Sequence, residues 1–289
     1  MTVERIGDVA VVRESGALRR VVEGWRAQGE RVALTPTMGA LHAGHASLVG
    51  HARARASRVV MSIFVNPTQF AEGEDFEAYP RALAADAAAF AAAGGDLVYA
   101  PAAAEIYPDG FATMVKVGGP ALAGLEDRFR PTHFSGVATV VAKLFNQCRP
   151  DLAVFGEKDY QQLKVVSRMT RDLDLGVEIV PAPTLREADG LALSSRNVYL
   201  SAEERRRAPA LHEALCACAA AIRAGGEVGE SLEQARETLA IAGFDADYVE
   251  ARDAATLEPE PAEGFGARAL RLLAAARLGR TRLIDNLAV

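Results

Sequence analysis

The chain of 289 residues has three cysteines and one tryptophan. No two cysteines form a CxxC pair and no Cys/His spacing suits zinc, so neither a disulfide framework nor a zinc module is encoded. Cys148, Cys216 and Cys218 read as small buried apolar residues in a reducing compartment. Positive charge is short: 32 Lys and Arg against 38 Asp and Glu leave a net charge of −6. That argues against a broad nucleic-acid-binding face, although a local cationic pocket for phosphate remains open. No apolar run is long enough to span a membrane. The opening "MTVERIGDVAVVRESG" is charged early and lacks an apolar core of signal-peptide length. No internal repeat appears. A cytoplasmic protein without membrane or nucleic-acid partners is the expectation.

What is present is a globular balance, half hydrophobic and about a quarter charged. Short apolar runs alternate with helical patterns through the first two thirds of the chain. "RVALTPT" (31–37), "RVVMSIFVN" (58–66), "DLVYAP" (96–101), "DLAVFG" (151–156) and "VEIVPAPT" (177–184) read as strands. "HASLVGHARARA", "RALAADAAAFAAAG", "GVATVVAKLFNQC" and "DYQQLKVVSRMTRDL" read as the helices between them. Nearly continuous apolar strands separated by helices predict a parallel sheet covered on both faces. After 184 the pattern changes to helical stretches over 202–224 and 230–242. Three strand-like segments follow: "DADYVEARD", "ARALRLLAAARLG" and "TRLIDNLAV". The expected fold is α/β: a Rossmann-like doubly wound parallel sheet over 1–184 with a smaller C-terminal α+β domain over 185–289. A long connection, roughly 101–135, has the length at which loops over a sheet are often functional.

Ligands of a parallel sheet bind outside the carboxyl ends of its strands. Unusual polar residues stand at several such ends. "PTMGALHAGHASLV" (36–49) places His42 and His45 near a helix start, three apart and therefore on one face. Gly39 permits an unusual backbone angle, and Gly44 leaves access between the imidazoles. A helix N-terminus carries about half a positive charge and attracts anions. Two imidazoles there add donors for phosphate oxygens; an alternative is two surface histidines beside a turn. His51, with no such context, reads as an ordinary helix-surface residue. "SIFVNPTQF" supplies Asn66 and Gln69, neutral amides suited to hydroxyl and carboxylate groups, or else a capped turn. "FGEKDYQQL" combines Gly156 for close approach with Lys158, Asp159 and, one helical turn on, Gln162. "LSSRN" sets Ser194 and Ser195 beside Arg196, a compact phosphate clamp because arginine meets phosphate oxygens in a fork. "RPTHFSGVATVV" adds Arg130 and His133, with Gly136 just before a helix.

The first of these motifs resembles the HIGH-type signature of the nucleotidylyltransferase superfamily. In their order, all five motifs look like those of the pantoate–β-alanine ligase family, over nearly the whole chain. The resemblance implies an ATP-dependent condensation of pantoate with β-alanine through pantoyl adenylate, releasing pyrophosphate and AMP. It implies that Met38, Gly39, His42, His45, Lys158, Ser194, Ser195 and Arg196 contact ATP, and that Gly156 and Asp159 meet its adenosine. His42, His45, Lys158 and Arg196 would then carry the catalysis. Gln69 and Gln162, with Asn66 and His133, would contact pantoate. Mg2+ bridging phosphate oxygens and a homodimer formed through the N-terminal domain are implied as well. Separately, the position of "SSRN" and the C-terminal domain after the fifth expected strand suggests that they close over ATP as a lid. Two positions depart from the family pattern. "ALAADAAAF" leaves Asp86 flanked by alanines where paired acids are common, so Asp86 is a weak magnesium candidate, with a solvated helix residue as the alternative. Ala46 replaces a larger apolar residue and implies a packing adjustment.

The chemistry of the residues agrees with this. A carboxylate ionised at neutral pH needs no general base to attack the α-phosphate. The enzyme must align it and stabilise charge moving onto the β- and γ-phosphates. The base for the β-alanine amine stays open, with His42 or a water as options. Three rivals remain: an adenylyltransferase that stops after nucleotidyl transfer, a tRNA-charging fragment, and a nucleotide-binding module without catalysis.

Overall fold

The computed structural model describes residues 3–70, 76–259 and 268–289. Seven strands form the larger sheet: β1 (Glu4–Ile6), β2 (Val9–Val12), β3 (Val32–Thr37), β4 (Arg58–Ile63), β5 (Leu97–Tyr99), β6 (Leu152–Gly156) and β7 (Glu178–Ala182). Their order is β1-β2-β5-β4-β3-β6-β7. Every neighbouring pair is parallel except β1 with β2. The helices are α1 (Ser15–Arg26), α2 (Ala43–Arg53), α3 (Leu83–Ala92), α4 (Ala103–Ile106), α5 (Glu126–Phe129), α6 (His133–Cys148) and α7 (Tyr160–Asp172). Next come α8 (Ala202–Arg207), α9 (Ala210–Arg223) and α10 (Val228–Ile241), then a sheet of β8 (Phe244–Asp253), β9 (Leu270–Leu278) and β10 (Thr281–Ala288).

The chain divides into two compact units. One comprises Met1–Glu157 and Val165–Pro183, the other Lys158–Lys164 and Thr184–Val289. The junction at 183/184 lies beside the boundary expected at 184/185. Residues 158–164, expected in the first domain, group with the second unit.

In the first unit, β3 and β4 are buried along almost their whole length, as strands covered on both faces must be. α1 packs with α6 and α2 with α3. Val59, Met61, Val98, Val154 and Phe90 lie in the core on one side of the sheet. The order runs from β3 outward through β4 and β5, then returns to β6 and β7. The reversal, between β3 and β6, is the topological switch point where such folds bind ligands. β3 pairs with β4 over six residues but with β6 over only two, Ala33–Leu152 and Leu34–Ala153. Pro36, which has no N–H to donate, lies beyond that short ladder. The ladder between β3 and β6 therefore stops short of their carboxyl ends, where the sequence motifs begin.

The second unit is a three-stranded antiparallel sheet ordered β10-β9-β8, packed by α9 and α10. Leu211, Leu215, Leu239, Leu272 and Ala276 are central to its core. Three readings need correction here and at the N-terminus. β1 and β2 were not expected; they are only three and four residues long, and β1 is mostly exposed, so neither gives an apolar run. The stretch 202–224 is two helices, because Pro209 lacks an N–H and ends α8 before α9 begins. Cys216 is exposed, whereas Cys148 and Cys218 are buried as expected. The first residue of "ARALRLLAAARLG", Ala267, lies outside the described residues.

Candidate active site

At the carboxyl end of β3 the chain turns sharply into α2. Gly39 and Ala40 both take positive φ, 92° and 53°. A side chain at Gly39 is forbidden twice over, since its Cβ would lie 2.9 Å from Asp86 Oδ2 and 3.2 Å from Ile63 Cγ2. Asp86, from α3, closes the turn. Its Oδ2 accepts the N–H of Ala40 at 3.1 Å and its Oδ1 that of Leu41 at 2.8 Å. At 4 % exposure Asp86 is no solvated helix residue. Both oxygens serve the backbone, and among the described residues no group of three or more His, Cys, Asp or Glu could hold a metal. The donor set does not fit a protein-held magnesium site.

His42 is the N-cap of α2, and the two imidazoles form a reciprocal capping box. His42 Nδ1 accepts the N–H of Gly44 at 3.1 Å, and His45 Nδ1 accepts the N–H of His42 at 3.3 Å. The rings lie 4.1 Å apart, tilted by 46°. A nitrogen that accepts cannot also carry the proton, so each neutral ring bears its hydrogen on Nε2. The pair is thereby set as two N–H donors at a helix N-terminus. Met38 and Gly44 are half-buried beside it, His51 is exposed, and Ala46 is exposed, so its small size needs no packing adjustment.

After β4 a 3-10 turn, Pro67–Gln69, is capped by Asn66, which is fully buried. Asn66 Nδ2 donates to Gln69 Oε1 at 2.8 Å and to the Gly136 carbonyl at 3.3 Å. Its Oδ1 accepts from Tyr107 at 2.8 Å and from Thr68 Oγ1 at 3.0 Å. The amide is spent on protein, which leaves Asn66 no group to offer a substrate and makes it a support for Gln69. The Gln69 carbonyl accepts from His133 Nδ1 at 2.9 Å and from Arg130 Nη2 at 3.0 Å. His133, 9 % exposed, is thus also a support, with its proton on Nδ1. With Oε1 taken, the Gln69 amide presents Nε2 as its donor end. Gly136 is required here: a Cβ would lie 2.3 Å from the Thr68 carbonyl oxygen. Tyr107, from the 101–135 connection, was not anticipated; burial raises its phenol above the ordinary tyrosine range, while Thr68 and Asn66 act in the opposite sense. Gly156 ends β6, and a Cβ there would meet only Leu48 Cδ2 at 3.9 Å. The protein's own packing does not demand that glycine.

In the second unit Lys158 and Asp159 lie on a 3-10 turn leading into α7, half-buried and exposed respectively; Gln162, half-buried, follows on α7. Ser194 caps a second 3-10 turn, Ser195–Tyr199, its Oγ accepting the N–H of Arg196 at 3.2 Å. Asn197 Nδ2 ties that turn to the Ala192 carbonyl at 3.1 Å.

A family profile for Pantoate-beta-alanine ligase matches residues 10–288. The chain belongs to that family. The pantothenate synthetase of Bradyrhizobium sp. strain BTAi1 is 60 % identical over 279 residues, 96 % of this chain and 98 % of the relative. That of Rhodopseudomonas palustris strain BisA53 is 57 % identical, with the same coverage. Among solved structures, a pantothenate synthetase from Thermus thermophilus superposes with a TM-score of 0.88 at 49 % identity, covering 96 % of this chain and 98 % of that one. A Francisella tularensis pantoate-beta-alanine ligase, complexed with beta-gamma ATP and beta-alanine, gives 0.76 at 30 % identity, covering 96 % and 97 %. Membership of this ligase family agrees with the Rossmann-like sheet and the smaller antiparallel sheet. Among the described residues no helix is long and apolar enough to cross a membrane.

Proposed function

We propose that the chain joins D-pantoate to β-alanine at the expense of ATP, through pantoyl adenylate, with release of pyrophosphate and AMP. The observation that carries this reading is the histidine pair. Locked by its own reciprocal cap at the switch point of the sheet, it sets two imidazoles side by side at a helix N-terminus, an arrangement suited to an anion. Such fixed donors lower the barrier by meeting charge that grows on the pyrophosphate as the α-phosphate is attacked. Lys158 and Arg196 add cations for the same charge, and Ser194 and Ser195 add hydroxyl donors. Met38 and Gly39 border the nucleotide. Gly156, a glycine that packing does not require, leaves room for its adenosine, with Asp159 at the ribose.

Gln69 and Gln162 take the pantoate hydroxyl and carboxylate groups. A site built around a substrate hydroxyl rejects analogues that lack it. Asn66 and His133 act on pantoate through Gln69. Magnesium travels with the substrate phosphates, and no step is assigned to it through Asp86. A cytoplasmic homodimer completes the reading.

The test is turnover with ATP, magnesium, D-pantoate and β-alanine, for wild type and His45→Ala. Wild type forms AMP and pantothenate, and the variant is slower by about 10²–10³, the usual effect of losing one preorganised donor. Pyrophosphate release without amide formation on adding β-alanine would identify a simple adenylyltransferase instead. No consumption of ATP would overturn the reading.

A further inference from the structure

Two segments of the second unit carry Lys158 and the Ser194–Arg196 groups assigned to the triphosphate, and both are tied to one dipeptide on β10. Asn286, 3 % exposed, serves the first. Its Nδ2 donates to the Lys158 carbonyl at 2.8 Å, and its Oδ1 accepts from Arg271 Nε at 2.7 Å. The Arg271 guanidinium lies 4.1 Å over the ring of Tyr160, whose hydroxyl donates to the Ala254 carbonyl at 2.8 Å. The backbone on either side of Asp159 is thereby fixed to the second sheet.

Asp285, also 3 % exposed, serves the second segment. Arg186 donates to both of its oxygens, at 2.6 and 2.9 Å, and to the Gly190 carbonyl at 3.1 Å. Arg186 pairs with Ala192, so the ion pair anchors the small hairpin that leads directly into Ser194. His212 Nδ1 approaches Asp285 Oδ2 at 3.4 Å, and the same ring fills the space at Gly190, where a Cβ would meet its Cδ2 at 2.8 Å. The N–H of Asn286 donates to Asp285 Oδ1 at 2.7 Å, joining the two halves. Consecutive strand residues face opposite sides, so one rung of β10 can reach two segments far apart in sequence.

We infer that Asp285 and Asn286 are positioning residues that set Lys158 and the Ser194–Arg196 turn in one fixed arrangement for the ATP phosphates. Buried ion pairs and amide networks are weak contributors to net stability against apolar packing, so specificity of position is what such a network supplies. Displacement of a binding group by about 1 Å can cost about 10² in rate. The inference rests on the proposed ATP chemistry for the choice of segments, not for the network itself.

The experiment compares the full-length chain with Asn286→Ala and Arg186→Lys. It measures ATP affinity by equilibrium dialysis, KM and kcat for ATP and for pantoate, and amide hydrogen exchange. The expected result for Asn286→Ala is about tenfold weaker ATP binding with the pantoate KM within about twofold of wild type. Exchange becomes faster over 158–164 and over 185–193 together. A purely structural role would lower the melting temperature while leaving the folded variant's ATP affinity and kcat at wild-type values, and that outcome overturns the inference. So does a response confined to 158–164. Should Asn286→Ala fail to fold, Arg186→Lys keeps the charge but loses the two-pronged grip. It is expected to weaken ATP binding similarly and to quicken exchange over 158–164 as well; unchanged ATP affinity in it overturns the inference. If wild type binds ATP yet makes no pantothenate, the proposed function fails while the dialysis and exchange results still decide the role of the dipeptide.

Discussion

Replacing Asp86 by asparagine keeps its shape and removes one of its two acceptors. In the native turn the carboxylate receives two backbone N–H groups, from Ala40 and Leu41, at 3.1 and 2.8 Å. An asparagine can accept one of them and must turn its NH2 toward the other. A fully buried N–H left without a partner costs about 1–3 kcal/mol, and these two donors are half-buried, so Asp86→Asn should destabilise by about 1 kcal/mol, the low end of that range. Asp86→Ala strands both N–H groups and should cost about 2 kcal/mol on the same scale. Ala40, held at a φ of 53° that alanine rarely adopts, would relax once that grip is gone. Because His42 follows two residues later, relaxation moves the N-cap of α2, and turnover should fall by about 10². Urea unfolding measures the stability, and pyrophosphate release measured against magnesium concentration measures the chemistry. The expected variant is less stable and slower, with an unchanged magnesium requirement. A variant of native stability that needs far more magnesium would refute the reasoning and restore Asp86 as a metal ligand.

Gly136→Ala would drive a Cβ to 2.3 Å from the Thr68 carbonyl oxygen, so α6 or the 3-10 turn bearing Gln69 must shift. A loss of about 1–3 kcal/mol in thermal unfolding and a raised pantoate KM are expected. Gly156→Ala meets only ordinary contact with Leu48, so stability should stay within about 0.5 kcal/mol. ATP turnover should still fall, and full activity would show that nothing approaches that glycine. Burial alone would raise the carboxyl of Asp285, but hydrogen bonds from His212 and Arg186 outweigh it and hold it below the ordinary range. Its contribution to stability is therefore complete above about pH 4 and is lost as pH falls through the lowered folded value, so Asp285→Asn should flatten the acid limb of a stability–pH curve. Of the thiols, Cys148 is pushed up to about 12 by burial and Cys218 is raised by the same cause. A thiol reagent at pH 8 should label Cys216 promptly and the other two only on unfolding, as mass spectrometry of the peptides would show.

The sequence determined a good deal. Apolar runs bounded by glycine and proline located β3 to β7 and the helices between them to within a few residues, because continuous burial leaves a compositional trace. It also placed the polar motifs at strand ends, since the chemistry of binding requires histidine, amide, lysine and arginine side chains whatever their neighbours. Tertiary structure decided the rest. Apolar strands carry no label for their neighbours, so the order that puts the switch point between β3 and β6 could not be read. His42 and His45 were legible as neighbours near a helix start, but His42 stands just outside the helix with extended backbone, so the two do not share a helix face. That they cap each other, which fixes the proton on Nε2, depends on the backbone angles at the helix start. Alanines on either side of Asp86 marked a helix but hid its partners, which lie 45 and 46 residues earlier. Asn66 and His133 looked like substrate ligands because residue type shows capacity for hydrogen bonding and not how much of it the fold consumes. Asn286 reaches Lys158 across 128 residues, and only the tertiary fold of the second unit makes them neighbours.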